Sequence, residues 1–242
     1  MPPDTRVRPR TVVTLLLAVL VTAGLLALGT WQVKRLFWKL DLIARVEARV
    51  QAPPGAIPAP DEWSDFDPAT QEYRHIRLSG TFLHDKEVLA QANTILGPGF
   101  WVLTPLIQAD GSVILINRGF VPPDRRDPAT RTDGNPSGTV DVVGLLRLSE
   151  PKGAFLRSND AATGRWYSRD VQAIAEAKGL PADKVAPFFI DADKTPNPGG
   201  YPVGGLTQVV FPNNHLVYAI TWYSLAGMLM AVIIVLYRRR QI

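Results

Sequence analysis

His215 opens the last apolar stretch of the chain, inside the run Phe211-Pro-Asn-Asn-His-Leu-Val-Tyr-Ala-Ile-Thr-Trp-Tyr223. A neutral imidazole is a ready metal ligand, and an ionisable group where a membrane span begins is costly to bury without a partner. The chain holds only three histidines, so the position of this one carries weight. Tyr218 and Trp222 follow at i+3 and i+7, which on a helix makes a His–Tyr–Trp stripe. A second set stands just after the first apolar run, where Trp31, Arg35 and Trp38 place an arginine between two indoles at i, i+4 and i+7.

Two readings share these spacings. In one, the aromatic residues are an interfacial belt, His215 is a wet interfacial residue, and Arg35 snorkels to lipid phosphate. In the other, His215 ligates iron, the indoles stack on a flat macrocycle and Arg35 pairs with its propionates. That is the inventory of a haem site at a membrane surface. The remaining histidines are read as exposed, His75 on the polar face of a strand and His84 in the turn Leu-His-Asp-Lys.

Other chemistry finds little support. The sequence has no HExxH, GxSxG or Walker loop, its glycines do not form a dinucleotide fingerprint, and Asp61/Glu62 lie in a connector, so a non-enzyme is expected. There are no cysteines, hence no disulfides and no thiolate metal site. The net charge of +4 comes from the ends: Arg6, Arg8, Arg10, Arg238, Arg239 and Arg240 lie in the tails and leave the middle near neutral. No nucleic-acid partner is expected of such a surface.

The elements that must position these residues begin with two apolar runs, 11–29 and 216–237, each able to cross the hydrocarbon core. Three arginines before the first run also suit a cleaved signal peptide. The run is too long for a usual h-region and lacks a small-x-small site, so a retained span is expected. The arginine clusters put both ends on the cytoplasmic side, although Lys34, Arg35 and Lys39 oppose this in part. The expected organisation is a cytoplasmic tail over 1–10, a first span over 11–29, an exterior domain over 30–214, a second span over 215–237 and a cytoplasmic tail over 238–242, in the lipid bilayer of a plasma (inner) membrane.

The first helix is expected to continue to about Val50 and to end at Pro53-Pro54, with 52–70 an extended connector. The middle reads as β-rich, with strands at 73–80, 86–92, 100–107, 113–120, 140–148 and 185–191. Turns are expected at Gly97-Pro-Gly99 and, closing a hairpin, at Asp110-Gly111. Residues 121–139 read as a surface loop, 170–178 as a short helix stopped by Gly179, and 195–205 as irregular. Ile76, Leu78, Leu115 and Phe189 are the expected core. The fold class is α+β: two antiparallel transmembrane helices flanking one exterior domain built mainly on antiparallel strands, with a short helix.

Four stretches resemble a known family. Gly29-Thr-Trp-Gln-Val-Lys-Arg35-Leu-Phe-Trp38-Lys39 is similar to the GxWQxxRxxWK signature of the surfeit-locus family of cytochrome c oxidase assembly factors. Asn117-Arg-Gly-Phe120-Val-Pro122 resembles its NRGWVP motif, with Phe120 in the Trp position. Asn159-Asp160, Trp166 and Asp170 resemble its ND…W…D stretch, and Pro212–Tyr223 its NxHxxYxxTW entry to the second span. The resemblance runs in order from about residue 24 to 237. It implies an assembly factor, a chaperone that binds haem a and hands it to cytochrome c oxidase subunit I, with haem a synthase a further candidate partner and His215 the iron ligand. Trp31, Arg35, Trp38, Tyr218 and Trp222 would then line the cofactor site, and Asn117-Arg118-Gly119 would shape the domain. The alternative is a scaffold for the oxidase subunit that binds no haem itself.

Overall fold

The computed structural model describes residues 9–153 and 156–239. In chain order the elements are α1 (Pro9–Gln51), β1 (Gly55–Ala56), α2 (Pro68–Gln71), β2 (His75–Phe82), β3 (Val88–Thr94), β4 (Gly97–Ile107), β5 (Val113–Val121), β6 (Thr139–Leu148), α3 (Val171–Ala177), β7 (Val185–Ala192) and α4 (His215–Arg238). They form two compact units, one of residues up to 45 together with those from 210, the other of residues 46–209. Arg6, Arg8 and Arg240, which helped to orient the spans, lie outside the described residues.

The first unit is a pair of helices, both long and apolar enough to cross a membrane. At 43 residues α1 measures about 65 Å, roughly twice the hydrocarbon thickness. The less exposed positions of α1 recur at alternating steps of three and four: Leu15, Ala18, Thr22, Leu25, Gly29, Gln32, Leu36 and Lys39. Those of α4 do the same from His215 through Ala219, Trp222, Ala226, Leu229 and Ile233 to Leu236. This repeat keeps one stripe of each helix against the other, the geometry of a coiled-coil seam. The pair is antiparallel, since Gln32 meets His215 and Thr30 meets Tyr223.

The second unit is a barrel. Its strands run β1-β2-β6-β7-β5-β4-β3, and β2 also pairs with β4 through Thr81↔Ile107 and Phe82↔Leu106. Strands β2, β6, β7, β5 and β4 therefore close on themselves, with antiparallel pairing except β1–β2 and β5–β7. Period-two alternation divides the side chains between two cores. Ile76, Leu78, Ile114, Ile116, Phe188 and Ile190 fill the interior. Leu115 and Phe189 point the other way and pack beneath α3 with Val171, Ile174 and Trp166. All four expected core residues are buried.

Several segments differ from the sequence expectation. Residues 52–70 are not a free connector: Trp63 and Phe66 pack on Phe188, with ring centroids 6.4 and 5.1 Å away, and β1 adds to β2. Tyr73 has φ 64° and precedes the strand. The glycines at 97 and 99 begin β4 instead of forming the turn.

The 121–139 segment is tied down by a buried ion pair. Arg131 Nη1 donates to Glu87 Oε2 at 3.0 Å while its Nη2 donates to Oε1, and the two side chains are 1% and 7% exposed. The hairpin at Asp110-Gly111 forms as expected, with Gly111 at φ 82°. His75 and His84 are half-buried, not free on the surface. His75 Nδ1 lies 2.9 Å from Ala52 O, and His84 Nε2 lies 3.0 Å from Pro136 O.

Candidate functional site

His215 is the first residue of α4, and its backbone N–H donates to Asn213 Oδ1 at 3.4 Å. Asn214 holds the N-cap position without a side-chain bond. The imidazole turns into the helix seam, where Nδ1 lies 2.7 Å from Gln32 Oε1. An amide oxygen only accepts, so Nδ1–H donates, and Nε2 stands on the other side of the ring. Gln32 is itself buried at 9% exposure. Fixing one ring nitrogen through a neighbouring acceptor is how metal-ligating histidines are oriented.

Deeper in the seam the helices touch closely. Thr30 Oγ1 and the Tyr223 hydroxyl are 3.0 Å apart. A Cβ on Gly29 would stand 2.8 Å from the Tyr223 ring, so glycine permits this approach. Trp222 is half-buried along the same stripe.

The remaining expected site residues lie off the seam. Trp31, Arg35, Trp38 and Tyr218 are exposed. Arg35 sits over the Trp38 ring with Cζ 3.8 Å from the centroid, a cation–π contact that Trp31 does not share. The structure thus joins His215 with Gln32 and Trp222 on one stripe, pairs Arg35 with Trp38, and leaves Trp31 and Tyr218 open. Gln32, Thr30 and Tyr223 were missed by sequence reasoning. Their signal was available, since Gln32 falls on the three-four repeat that runs through Thr22 and Gly29. The imidazole thus has one nitrogen anchored in the seam, while the exposed indoles and the guanidinium stand apart from it. Among the described residues no group of three or more His, Asp or Glu could hold a bare metal ion.

Asn117-Arg118-Gly119 works inside the barrel unit. Asn117 Nδ2 donates to Asp191 Oδ1 at 2.7 Å, and Arg118 donates to Asn135 Oδ1 at 2.9 Å and to the Gly134 carbonyl. Burial pushes the Arg118 guanidinium down to about 10, with Glu87 acting against this shift. Gly119 has φ 127° and its Cβ position lies 2.2 Å from the Val203 carbonyl oxygen, so only glycine fits. Asp191, 2% exposed, also accepts from Arg147, Arg169 and Thr207. Burial raises the Glu150 carboxyl, yet its bonds to Arg169 outweigh this and hold it below the ordinary value. Asn159 Oδ1 accepts the backbone N–H groups of Tyr167 and Ser168, and Asp170 caps α3.

Residues 19–227 match the SURF1 family. Surfeit locus protein 1 of Rattus norvegicus is 39% identical over 224 residues, covering 86% of this chain and 70% of that protein. Its Homo sapiens counterpart is 39% identical over 230 residues, covering 88% and 73%. A SURF1-like protein of Monosiga brevicollis is 38% identical over 239 residues, covering 93% and 87%. The chain belongs to the SURF1 family. Its first and last signature stretches meet in the helix seam, through Gly29, Thr30 and Gln32 on one side and His215 and Tyr223 on the other. The middle stretches hold the barrel unit together.

Proposed function

We propose that this protein is a two-span membrane assembly factor for cytochrome c oxidase that binds haem a through His215 and delivers it to oxidase subunit I. Membership in the SURF1 family supports the role in oxidase assembly. The haem reading rests on one observation, the anchoring of His215 Nδ1 by Gln32 Oε1, which presents Nε2 as the ligating atom. Trp222 would flank the macrocycle, with Trp31, Tyr218 and Trp38 at its rim and Arg35 toward the propionates. Haem is cargo here, and bound iron would supply only its own coordination chemistry. The protein's residues orient one ligand and cover one face. Both termini would be cytoplasmic and the barrel unit exterior, with haem a synthase a candidate source of cargo.

The test is a visible spectrum of protein co-expressed with haem a synthesis, for wild type and His215→Ala. His215 contributes one half-buried polar group to the seam, so the variant should insert into the membrane normally. Loss or a marked shift of the Soret band supports the reading. An unchanged spectrum in His215→Ala removes His215 as ligand, and a colourless wild type favours a scaffold that binds no haem.

A further inference from the structure

The β3–β4 hairpin turns at Ile95 and Leu96, between the paired residues Thr94 and Gly97. Gly97, at φ 96°, supplies a positive dihedral there, and the Leu96 amide donates to Thr94 Oγ1 at 3.1 Å. Nothing in this backbone calls for large apolar side chains, and turn positions ordinarily go to Asn, Asp, Gly, Ser or Pro. Yet Ile95 and Leu96 are 75% and 52% exposed. Among the described residues they are, with Leu156, the exposed large apolar side chains of the barrel unit. Leu156 belongs to the same place, because it precedes Arg157, whose Nη1 donates to Gln91 Oε1 on β3 at 3.0 Å. No charged residue or histidine occurs from 88 to 108.

Two cations stand at one distance behind this tip. Gln91 and Phe100 face each other across the hairpin, four residues back from Ile95 and Leu96, which is about 13 Å at the rise of a strand. Arg157 bonds Gln91, and Arg126 lies with Cζ 5.1 Å from the Phe100 ring centroid. Both arginines are exposed. The carboxylates near them in sequence face other groups, Asp124 toward Arg125, Asp127 toward the Ala129 amide and Asp160 toward Arg165. An apolar tip with guanidiniums set back by that distance matches a bilayer surface, where acyl chains receive the tip and headgroup phosphates meet the cations. The tip is also tethered near one. Ile95 shares the wall of a cleft with Leu206, Thr207 and Gln208, and the chain from Gln208 to His215 at the start of α4 reaches at most about 25 Å. We propose that the Ile95-Leu96 tip inserts into the surface of the bilayer that the two helices cross, with Arg126 and Arg157 on lipid phosphates. The proposal rests on α1 and α4 spanning the membrane and is independent of haem.

The chain has no cysteine, so one introduced cysteine gives one labelling position. Full-length Ile95→Cys, Asp183→Cys and Met228→Cys each carry a nitroxide in nanodiscs of equal parts phosphatidylcholine and phosphatidylglycerol. Relaxation by membrane-dissolved oxygen, set against a water-soluble nickel chelate, reports immersion. Asp183 is exposed on the barrel unit and should read as water, and Met228, 58% exposed on α4, should read as hydrocarbon. The label at 95 should stand well above Asp183 and toward Met228. Adding Leu96→Asp, or Arg126→Gln with Arg157→Gln, should move it back toward water. A watery reading at 95 beside a hydrocarbon reading at 228 overturns the proposal. So does a label at 95 shielded from both relaxants, which marks a protein contact, and so does immersion indifferent to all three substitutions. A watery reading at 228 overturns the spans, and the proposal with them.

Discussion

His215 and Gln32 lie 183 residues apart in the chain, yet their side chains meet at 2.7 Å across the helix seam. Gln32 is almost fully buried there, so its amide oxygen has a defined direction and the imidazole is held in one orientation. Replacing Gln32 with Leu keeps the seam's bulk and removes the acceptor. If His215 ligates haem iron, Gln32→Leu should reduce haem affinity by roughly 10–100-fold, the usual cost of losing an orienting partner. Gln32→Glu should retain affinity, because a carboxylate accepts the same proton. Haem titration followed at the Soret band measures both. Equal affinity in wild type and Gln32→Leu would separate the seam contact from cargo binding.

Gly29 faces the Tyr223 ring with 2.8 Å of room for a Cβ. Gly29→Val should therefore push the helices apart, at about 1–3 kcal/mol for overpacking a close contact. Tyr223→Ala placed in the same chain should recover much of that loss, since the obstructing ring is gone. Thermal unfolding in detergent, with engineered cross-links between the helices as a second readout, distinguishes the single from the double variant. Failure of Tyr223→Ala to relieve Gly29→Val would mean that the close approach is not the reason for glycine here.

Much of this architecture was legible in sequence, and the exceptions share a cause. Both spans, the β-rich middle, the hairpin at Asp110-Gly111 and the short helix capped by Asp170 follow from periodicity and turn chemistry. Barrel closure does not, because the β2–β4 contact joins residues 24 and 26 positions apart with no local signal. Trp63 and Phe66 looked like linker residues since their partner Phe188 lies on the last strand. Arg131 looked solvated for the same reason, its carboxylate being Glu87. At the site, the spacing of Trp31, Arg35 and Trp38 identified a shared helix face. Which helix face meets the partner is decided by the whole three-four stripe, and that stripe selects Gln32.

Glu150 links stability to pH. Burial favours its neutral form, but the paired Arg169 dominates and the folded carboxyl stays below its ordinary value of 4.5. A depressed folded pKa contributes stability that is complete above the unfolded value and is lost as pH falls through the folded one. The melting temperature of the barrel unit should thus decline as pH drops below about 4.5, and Glu150→Gln should flatten that decline while lowering the plateau at neutral pH. Calorimetry of both proteins across that range provides the comparison. Parallel curves would assign the acid sensitivity to other groups.

The ion pair of Glu87 and Arg131 should show an asymmetry between its partners. Both side chains are almost fully buried, so removing either leaves a charge without its counterpart, at about 3–5 kcal/mol for such pairs. The surroundings make the two deletions unequal. Glu87 also acts favourably on the buried Arg118 guanidinium, whereas Arg131 opposes its charge. Glu87→Gln therefore leaves two buried guanidiniums facing each other with their carboxylate gone. Arg131→Met leaves one carboxylate with Arg118 still near it, and removes a repulsion. Glu87→Gln should accordingly be the more destabilising of the two. The double variant Glu87→Leu/Arg131→Met, which replaces the pair with apolar bulk, should be closer to wild type than Glu87→Gln. Denaturant unfolding of the three variants ranks them directly. If Arg131→Met proves the worse single change, the pair acts by itself and Arg118 plays no part in holding Glu87.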